Sequence, residues 1–182
     1  MGISLLPCRV GSKWVTLALD AQGRLFANSL PSEDQKQSVE RALRSLQQRG
    51  INDYEMSPPD RRAESIANAI IHGEAVEMAT DGMSPLVVSV LRCVRDIPKG
   101  KVASYRDVAS WLGNPGLARF VGSVMSKNPF PLVVPCHRVI RSDMSLGGFG
   151  YGELEKKALL EAEGVEIENG KVRGRHRLAR GK

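Results

Sequence analysis

Two helix-start signals that lie close together in residues 104–115 constrain the fold of this chain more than any other feature. Ser104 and Asp107 form a capping-box pattern, and Gly113 closes the short helix that follows. Asn114 and Pro115 then mark a second helix start. Helices joined so closely are typical of a helix-turn-helix, although any helical hairpin gives a similar spacing. The second helix carries a narrow face of mainly small residues, at Ala118, Val121, Gly122 and Met125.

The segments before this region predict strands and helices rather than a catalytic site. Three short strands are expected, at 3–6, 14–19 and 25–30. A turn at 20–23 joins the last two into a hairpin. Two amphipathic helices follow, one ending at Gly50 and one beginning after Asp60.

A domain boundary is predicted at Gly82, because Ser84 and Pro85 form a fresh helix start. The expected fold class is α/β (α+β). It comprises an N-terminal strand-and-helix domain of structural role at 1–82 and a mostly helical domain at 83–164. The second domain contains the helix-turn-helix, is winged-helix-like and includes Cys136. Residues 165–182 are expected to form a basic tail.

The distribution of charge says more than the net value of +6. Residues 1–82 hold nine basic and eleven acidic side chains, whereas 83–164 hold eleven basic and seven acidic ones. Residues 171–182 add six basic side chains and no acidic one. This asymmetry fits a polyanionic partner that the tail would bind in a salt-dependent way, and it equally fits a solvated tail that aids solubility.

Composition excludes several classes of protein. No apolar run approaches the roughly 20 residues that a membrane helix needs, and the first residues do not resemble a signal peptide. Three cysteines, at 8, 93 and 136, form no disulfide framework, which favours a reduced intracellular setting. No metal site is expected, because Cys8 has no neighbouring ligand and His72 and His176 are isolated, the latter in the tail.

The sequence Pro135-Cys136-His137-Arg138-Val139 carries the most reactive residue types of the chain. An apolar run at 132–134, expected to be extended, leads into Cys136. A thiol with a pKa of about 8.5 needs a nearby base to become a nucleophile, and His137 could supply one. Adjacent residues of an extended chain point to opposite faces, so contact would need a bridging water or a local turn. Taken alone, a Cys-His pair is also compatible with a purely structural role.

The solvent-facing side of the second helix offers groups for a charged partner. Arg119, Ser123, Ser126 and Lys127 lie off the predicted buried face and could contact phosphates. Arg119 lies near the helix start beside small neighbours, where a long side chain can project into a ligand. An ordinary polar helix face is the alternative.

The segment around Cys136 resembles the acceptor-cysteine motif of the O6-alkylguanine-DNA alkyltransferases, or methylated-DNA–protein-cysteine methyltransferases. Further motifs of this DNA-repair family occur in the same order. They are Ile97-Pro98-x-Gly100, Ser104-Tyr105, Gly113-Asn114-Pro115, Ala118-Arg119-x-Val121-Gly122, Asn128-Pro129 and Leu159-Leu160-x-x-Glu163-Gly164. The resemblance is strong over 84–164, and residues 1–82 are compatible with it.

The resemblance implies a role for each matching residue. Arg119 would fill the gap left by a nucleotide rotated out of the duplex. Tyr105 would bind the extruded base, and Asn128 would brace the active-site turn. His137 and Glu163 would activate Cys136 through water. The remaining DNA contacts would come from Ala118, Gly122, Ser123, Lys127 and Arg138, and the substrate loop from Met144, Ser145, Gly148, Phe149 and Gly150.

Two positions of the substrate loop depart from the family pattern. Phe149 stands where the family commonly has tyrosine, which keeps the ring and loses the hydroxyl. Met144 stands in place of a usual glycine. Both departures bear on hydrogen bonding in the loop and on the size of the alkyl group that it accepts.

The implied function is direct reversal of DNA damage. The protein would flip O6-alkylguanine, with O4-alkylthymine as a further candidate, out of double-stranded DNA and transfer the alkyl group irreversibly to Cys136. It would act once, as a cytoplasmic monomer, or a nuclear one in a eukaryote, without cofactor or metal. One alternative is a protein that binds alkylated bases without repairing them, but known relatives of that type lack the acceptor cysteine. A helix-turn-helix regulator is another, and it would need a dimer helix that this sequence does not show.

Overall fold

A computed structural model describes residues 2–178 of the chain. These residues divide into two compact units, one formed by 2–82 with 128–133 and the other by 83–127 with 134–178. Within the described range, no helix combines the length and the apolar character needed to cross a membrane. The mixed α/β architecture confirms the predicted fold class.

The first unit is built on a four-stranded sheet with the strand order β3-β2-β1-β4. The antiparallel strands are β1 (Ile3–Val10), β2 (Lys13–Asp20) and β3 (Leu25–Asn28), and β4 (Glu55–Met56) pairs with β1 in parallel. The predicted hairpin between β2 and β3 is confirmed. β1 continues past the predicted end at residue 6 and through Pro7. β4 pairs with Ser4 and Leu5 of β1, so Pro7 lies beyond this pairing, at an edge position where proline is tolerated.

Two helices cover this sheet. α1 (Gln35–Gln48) packs against β2 and β3, and α2 (Arg61–His72) packs against β1. Their N-caps are Asp34 and Asp60, whose carboxylates accept hydrogen bonds from the first turn. The resulting core contains aliphatic and aromatic side chains of strands and helix α1, including Ile3, Leu5, Phe26 and Leu46.

The segment 128–133 belongs to the first unit by its contacts. The backbone N–H of Asn28 donates to the carbonyl of Pro129 at 3.0 Å, and the Asn28 side chain donates to Pro131 at 2.9 Å. Leu132 has a φ of 69° in a turn. The extended run predicted for 132–134 is therefore wrong, since the chain reverses direction here before it reaches Cys136.

The second unit consists of short helices around a small parallel sheet. Its helices are α3 (Pro85–Arg95), α4 (Tyr105–Trp111), α5 (Ala118–Ser126) and α6 (Glu153–Ala162). Strands β5 (Ala103–Ser104) and β6 (Val139–Ile140) pair in parallel, and β7 (Ile167–Glu168) and β8 (Lys171–Val172) form an antiparallel hairpin. Helices α4 and α5 pack closely and form the predicted helix-turn-helix, with one 3₁₀ turn, Pro115–Leu117, opening the second helix.

Residues 165–178 do not form the disordered tail that the charge pattern predicted. They contain the β7–β8 hairpin and a 3₁₀ turn, Gly174–His176, and Val172 is buried in a core with Val102, Ile140 and Leu160. His176 is not free in solvent. Its Nε2 accepts a hydrogen bond from the Glu166 N–H, and its Nδ1 donates to the Gly100 carbonyl. The rest of the predicted tail, residues 179–182, lies outside the described residues.

Candidate active site

Cys136 lies in a tight turn at the surface of the second unit. The backbone N–H of Cys136 donates to Val134 at 2.7 Å, and that of Arg138 donates to Pro135 at 2.9 Å. Residues Cys136–Arg138 therefore form one 3₁₀ turn. The cysteine is 6% exposed, and no cysteine of the chain is in a disulfide. Since the backbone here is turned rather than extended, Cys136 and His137 need not point to opposite faces.

A cavity of about 280 Å³ opens beside the sulfur. Four elements contribute to its wall, namely the start of α4, one face of α5, the cysteine turn and the loop before α6. The lining residues are Tyr105, Gly122, Met125, Ser126, Cys136, Gly148, Phe149 and Gly150. Of these, the sequence did not point to Met125 or Ser126 as cavity residues, since helical spacing alone does not show which turn of α5 borders an opening.

Glycines keep this cavity open. A Cβ atom on Gly122 would lie 3.9 Å from the ring of Tyr105, and one on Gly150 would lie 3.9 Å from the Ser126 carbonyl. These are ordinary contacts, so a larger side chain at either position would extend into the space beside the phenol. The tyrosine hydroxyl donates to the Gly148 carbonyl at 3.5 Å, which links α4 to the substrate loop.

A carboxylate holds the two residues that follow Cys136 in the cysteine turn. Glu163 follows α6 and accepts a hydrogen bond from His137 Nε2 at 2.9 Å. It also accepts from Arg138 Nε at 2.9 Å and Nη2 at 2.7 Å. Burial alone would raise the pKa of Glu163, but the hydrogen bonds from His137 and Arg138 outweigh it and lower the pKa to about 2. The carboxylate is therefore ionised at neutral pH.

This ionised carboxylate determines the tautomer of His137. A carboxylate can only accept hydrogen bonds, so Nε2 must carry the proton and Nδ1 keeps the lone pair when the ring is neutral. Burial lowers the pKa of His137, against the opposing effect of Glu163, so the neutral ring is favoured. The geometry thus presents a base at Nδ1, next in sequence to the thiol.

Burial also affects Tyr105 on the cavity wall. It raises the pKa of the phenol, and the negative charge of a Cys136 thiolate raises it further, while Arg141 has a smaller opposing effect. The phenol therefore remains protonated and able to donate at neutral pH.

Lys156 is a buried cation that the sequence did not single out. It lies in α6, is fully buried, and donates from Nζ to the Val139 carbonyl at 2.6 Å. Burial lowers its pKa to about 8, while attraction to Cys136 has the opposite effect. At pH 7 the ammonium is thus still mostly charged. A lysine next to another lysine, in a helix with two glutamates in its first turn, looks like a surface residue, so only the tertiary structure reveals its position.

The residues predicted on the DNA-binding face of α5 are mostly exposed. Arg119, Ser123 and Lys127 are exposed, whereas Ala118 and Gly122 are half-buried. Asn128 is buried in the segment of the first unit, where its Oδ1 accepts from the Phe130 N–H at 3.0 Å.

Three predicted site residues have other positions than expected. Arg138 was predicted to contact DNA, but its guanidinium binds Glu163 and donates to the Ile97 carbonyl at 2.5 Å inside the unit. Met144 and Ser145 were predicted in the substrate loop, but neither lines the cavity. Met144 adopts a φ of 68° and packs on the core, and Ser145 donates to Asp143. Their part of the loop turns the chain, and only Gly148, Phe149 and Gly150 reach the cavity.

Comparison with known proteins matches the part of the chain that contains the cavity. Residues 85–165 match the family model described as the DNA-binding domain of 6-O-methylguanine DNA methyltransferase. A methylated-DNA–protein-cysteine methyltransferase from Methanothermobacter thermautotrophicus is 51% identical over 79 residues, which cover 43% of this chain and 44% of the relative. The Salmonella typhimurium protein of the same name is 40% identical over 105 residues, covering 58% of this chain and 61% of the relative. The chain thus matches about half the length of these curated relatives.

Solved structures resemble the chain over nearly its full length. The O6-methylguanine-DNA methyltransferase of Pyrococcus kodakaraensis strain KOD1 is 30% identical with a TM-score of 0.66, covering 90% of this chain and 99% of that one. Mycobacterium tuberculosis OGT in complex with DNA is 28% identical with a TM-score of 0.63, covering 90% of this chain and 92% of that one.

Proposed function

Because the chain belongs to the O6-alkylguanine-DNA alkyltransferase family, whose members are also named methylated-DNA–protein-cysteine methyltransferases, we propose that it repairs alkylated DNA directly. It transfers the alkyl group of O6-alkylguanine to Cys136. One observation carries this proposal, namely a cysteine on the wall of a small cavity bordered by a helix-turn-helix and adjacent in sequence to a buried His–Glu pair. A cavity of about 280 Å³ is suited to one base rather than to a larger ligand.

The damaged base reaches the cavity by rotation out of duplex DNA. Helix α5 approaches the duplex with its exposed face, and Arg119 occupies the gap that the base leaves. Unstacking costs a few kcal/mol, and a stacked guanidinium recovers part of it while remaining paired with phosphates. The glycines of the cavity wall leave room for the flat ring between α5 and the substrate loop. Phe149 packs against the base without adding a hydrogen bond.

Activation of the thiol begins at Glu163. The carboxylate fixes the Nε2–H tautomer of His137, so Nδ1 accepts the proton of Cys136 through a bridging water. Arg138 neutralises the negative charge of Glu163 on its other side and keeps the carboxylate in place. The ammonium of Lys156 adds a positive field that favours the thiolate.

The transfer itself is a displacement at carbon. The thiolate attacks the alkyl carbon, a carbon–sulfur bond forms, and the carbon–oxygen bond breaks with its electron pair going to guanine. The departing guanine takes a proton in the cavity, whose wall includes the Tyr105 hydroxyl, a group that stays protonated at neutral pH. The product is a thioether, which has no carbonyl for water to attack. Each molecule therefore acts once and needs no cofactor.

The location and assembly follow from this substrate. The protein acts as a monomer on double-stranded DNA, in the cytoplasm of a cell without a nucleus or in the nucleus of one that has it. Pairing of half-sites by a dimer is unnecessary, because a lesion rather than a sequence is recognised.

Intact-protein mass spectrometry tests the proposal. The full chain is incubated with a duplex containing one O6-methylguanine, and Cys136→Ala serves as the matched control. We expect one added methyl group, located on Cys136 by peptide mapping and saturating at one equivalent. Tight binding of the lesion with an unchanged mass would instead assign the protein to the non-repairing class.

A further inference from the structure

The last described residues form a strap along one edge of the second unit. This C-terminal strap comprises residues 166–178, and it lies beyond the 85–165 segment that the family model matches. It contains the β7–β8 hairpin and the turn Gly174–His176. Two of its arginines are paired within the strap, Arg173 with Glu166 and Glu168, and Arg175 with Glu166. The third, Arg177, pairs with Asp107, which lies outside the strap.

Backbone hydrogen bonds fasten the strap beside strand β5. The N–H of Val102 donates to the His176 carbonyl at 2.8 Å, and the N–H of Leu178 donates to the Val102 carbonyl at 2.7 Å. Arg177 lies between these two bonds and forms a parallel bridge with Val102. His176 adds a contact of 3.0 Å between its Nδ1 and the Gly100 carbonyl. The position of Arg177 is therefore fixed by the main chain on both sides.

The guanidinium of Arg177 binds Asp107 in the first turn of helix α4. Its Nη2 donates to Asp107 Oδ1 at 2.7 Å, and its Nε donates to Asp107 Oδ2 at 3.1 Å. The same Oδ2 accepts the Ser104 N–H at 2.8 Å, while the Ser104 hydroxyl accepts the Asp107 N–H at 3.0 Å. Arg177 thus extends the capping box into a three-residue network by a bidentate ion pair.

The network spans the first turn of α4, which begins with Tyr105, a residue of the cavity wall. α4 has only seven residues, and so short a helix depends on its caps and tertiary contacts to hold its first turn in one conformation. The hydroxyl itself makes the long, 3.5 Å contact to the Gly148 carbonyl.

We propose that Arg177 is a positioning residue for Tyr105, holding the first turn of α4 through Asp107 so that the phenol keeps its place in the cavity. The catalytic consequence rests on the proposed function. A displacement of about 1 Å in a reacting group can lower a rate about 100-fold. Loss of one anchor, with the Val102 backbone bonds intact, is expected to lower the transfer rate about five- to tenfold.

The test uses the full chain labelled with 3-fluorotyrosine, which reports each tyrosine as a separate ¹⁹F resonance. The resonance of Tyr105 is assigned with Tyr105→Phe. We expect Arg177→Ala to move this resonance and to slow methyl transfer from both duplex DNA and the free base. Arg177→Lys should restore part of the rate. The matched control is Arg173→Ala, whose partners lie within the strap, and it should change neither quantity.

Two results would overturn the inference. One is an unchanged Tyr105 resonance and transfer rate in Arg177→Ala. The other, which applies if Arg177→Ala does not fold, is an unchanged Tyr105 resonance in Asp107→Asn, a variant that keeps the cap acceptor and loses the ion pair. If the unmodified protein transfers no methyl group, the proposed function fails, and the ¹⁹F shift still decides whether Arg177 positions Tyr105.

Discussion

Replacing Glu163 with glutamine tests the carboxylate that holds His137 and Arg138 of the cysteine turn. The carboxylate accepts hydrogen bonds from His137 and Arg138, and its side chain is 12% exposed. Glutamine has nearly the same size but no charge. Its amide has one oxygen and one NH2 group in place of two acceptor oxygens, so in either orientation Arg138 meets an N–H donor, and His137 Nε2 can meet either group. The variant therefore removes the charge and the fixed choice of tautomer without leaving a cavity.

The loss of stability follows from the pKa of this group. A fall from 4.5 to about 2 on folding corresponds to about 3 kcal/mol. Because the folded pKa is the lower one, this stabilisation is present above about pH 4.5 and is lost as the pH falls towards about 2. Glu163→Gln should lower the free energy of unfolding by about 3 kcal/mol at pH 7 and flatten its dependence on pH in this acidic window.

The loss of activity should be larger than the loss of stability would explain. A positioned general base contributes about 100-fold or more to a rate, and a neutral His137 with the wrong tautomer cannot act as one. We expect the single-turnover rate of methyl transfer to fall at least about 100-fold at a temperature where the variant is folded.

Urea denaturation at several pH values and rapid-quench transfer assays measure both quantities. Glu161→Gln is the matched control, since Glu161 lies in the last turn of α6, two residues before Glu163, and makes an exposed contact of 3.8 Å with Lys157. It should leave rate and stability nearly unchanged. A Glu163→Gln protein that loses stability but transfers within threefold of the unmodified rate would refute the assigned role of Glu163 in activating the thiol.

Three further substitutions test other parts of the site. Lys156→Met should slow alkylation of Cys136 by iodoacetamide about tenfold at pH 7, because the thiolate loses a buried cation, whereas Lys157→Met should have no effect; equal rates would remove Lys156 from the mechanism. Arg119→Ala should slow transfer from duplex DNA about tenfold and from the free base less than twofold, and equal losses would contradict its part in base flipping. Arg49→Met should lower the free energy of unfolding by about 3 kcal/mol in a denaturation assay, because Arg49 donates to three carbonyls in the first unit, and a loss below 1 kcal/mol would contradict this.

Local signals in the sequence predicted the helix starts of the second unit well. Ser84 caps α3 with Pro85 at its first position, and Ser104 and Asp107 form the expected capping box. These signals are reliable because a cap is a bond between a side chain and a backbone group three residues away. Tyr105, Gly148, Phe149 and Gly150, which border the cavity, were also predicted as site residues, but from resemblance to a family rather than from local pattern. Met125 and Ser126 were not.

Features that depend on distant parts of the chain were not predicted. The strap was expected to be a tail, because basic residues without apolar periodicity look solvated. The pairing of Arg173 and Arg175 with Glu166 and Glu168 depends on the hairpin, and Arg177 pairs with the distant Asp107. Lys156 was overlooked because its acceptor, the Val139 carbonyl, lies seventeen residues away. The turn at Leu132 was expected to be extended, since its apolar neighbours suit a strand and only tertiary contacts impose the reversal.

The internal pairing of arginines changes what net charge implies about DNA binding. Arg138 is held by Glu163, and the three arginines of the described strap are bound to Glu166, Glu168 and Asp107. A cation that already neutralises a carboxylate releases fewer counterions when it meets a phosphate, so it adds little to salt-dependent affinity. We therefore expect the electrostatic part of DNA binding to come mainly from the exposed face of α5, with Arg119 and Lys127, rather than from the strap. The three arginines serve the fold, and the pairing of Arg177 with Asp107 connects the strap to the first turn of α4.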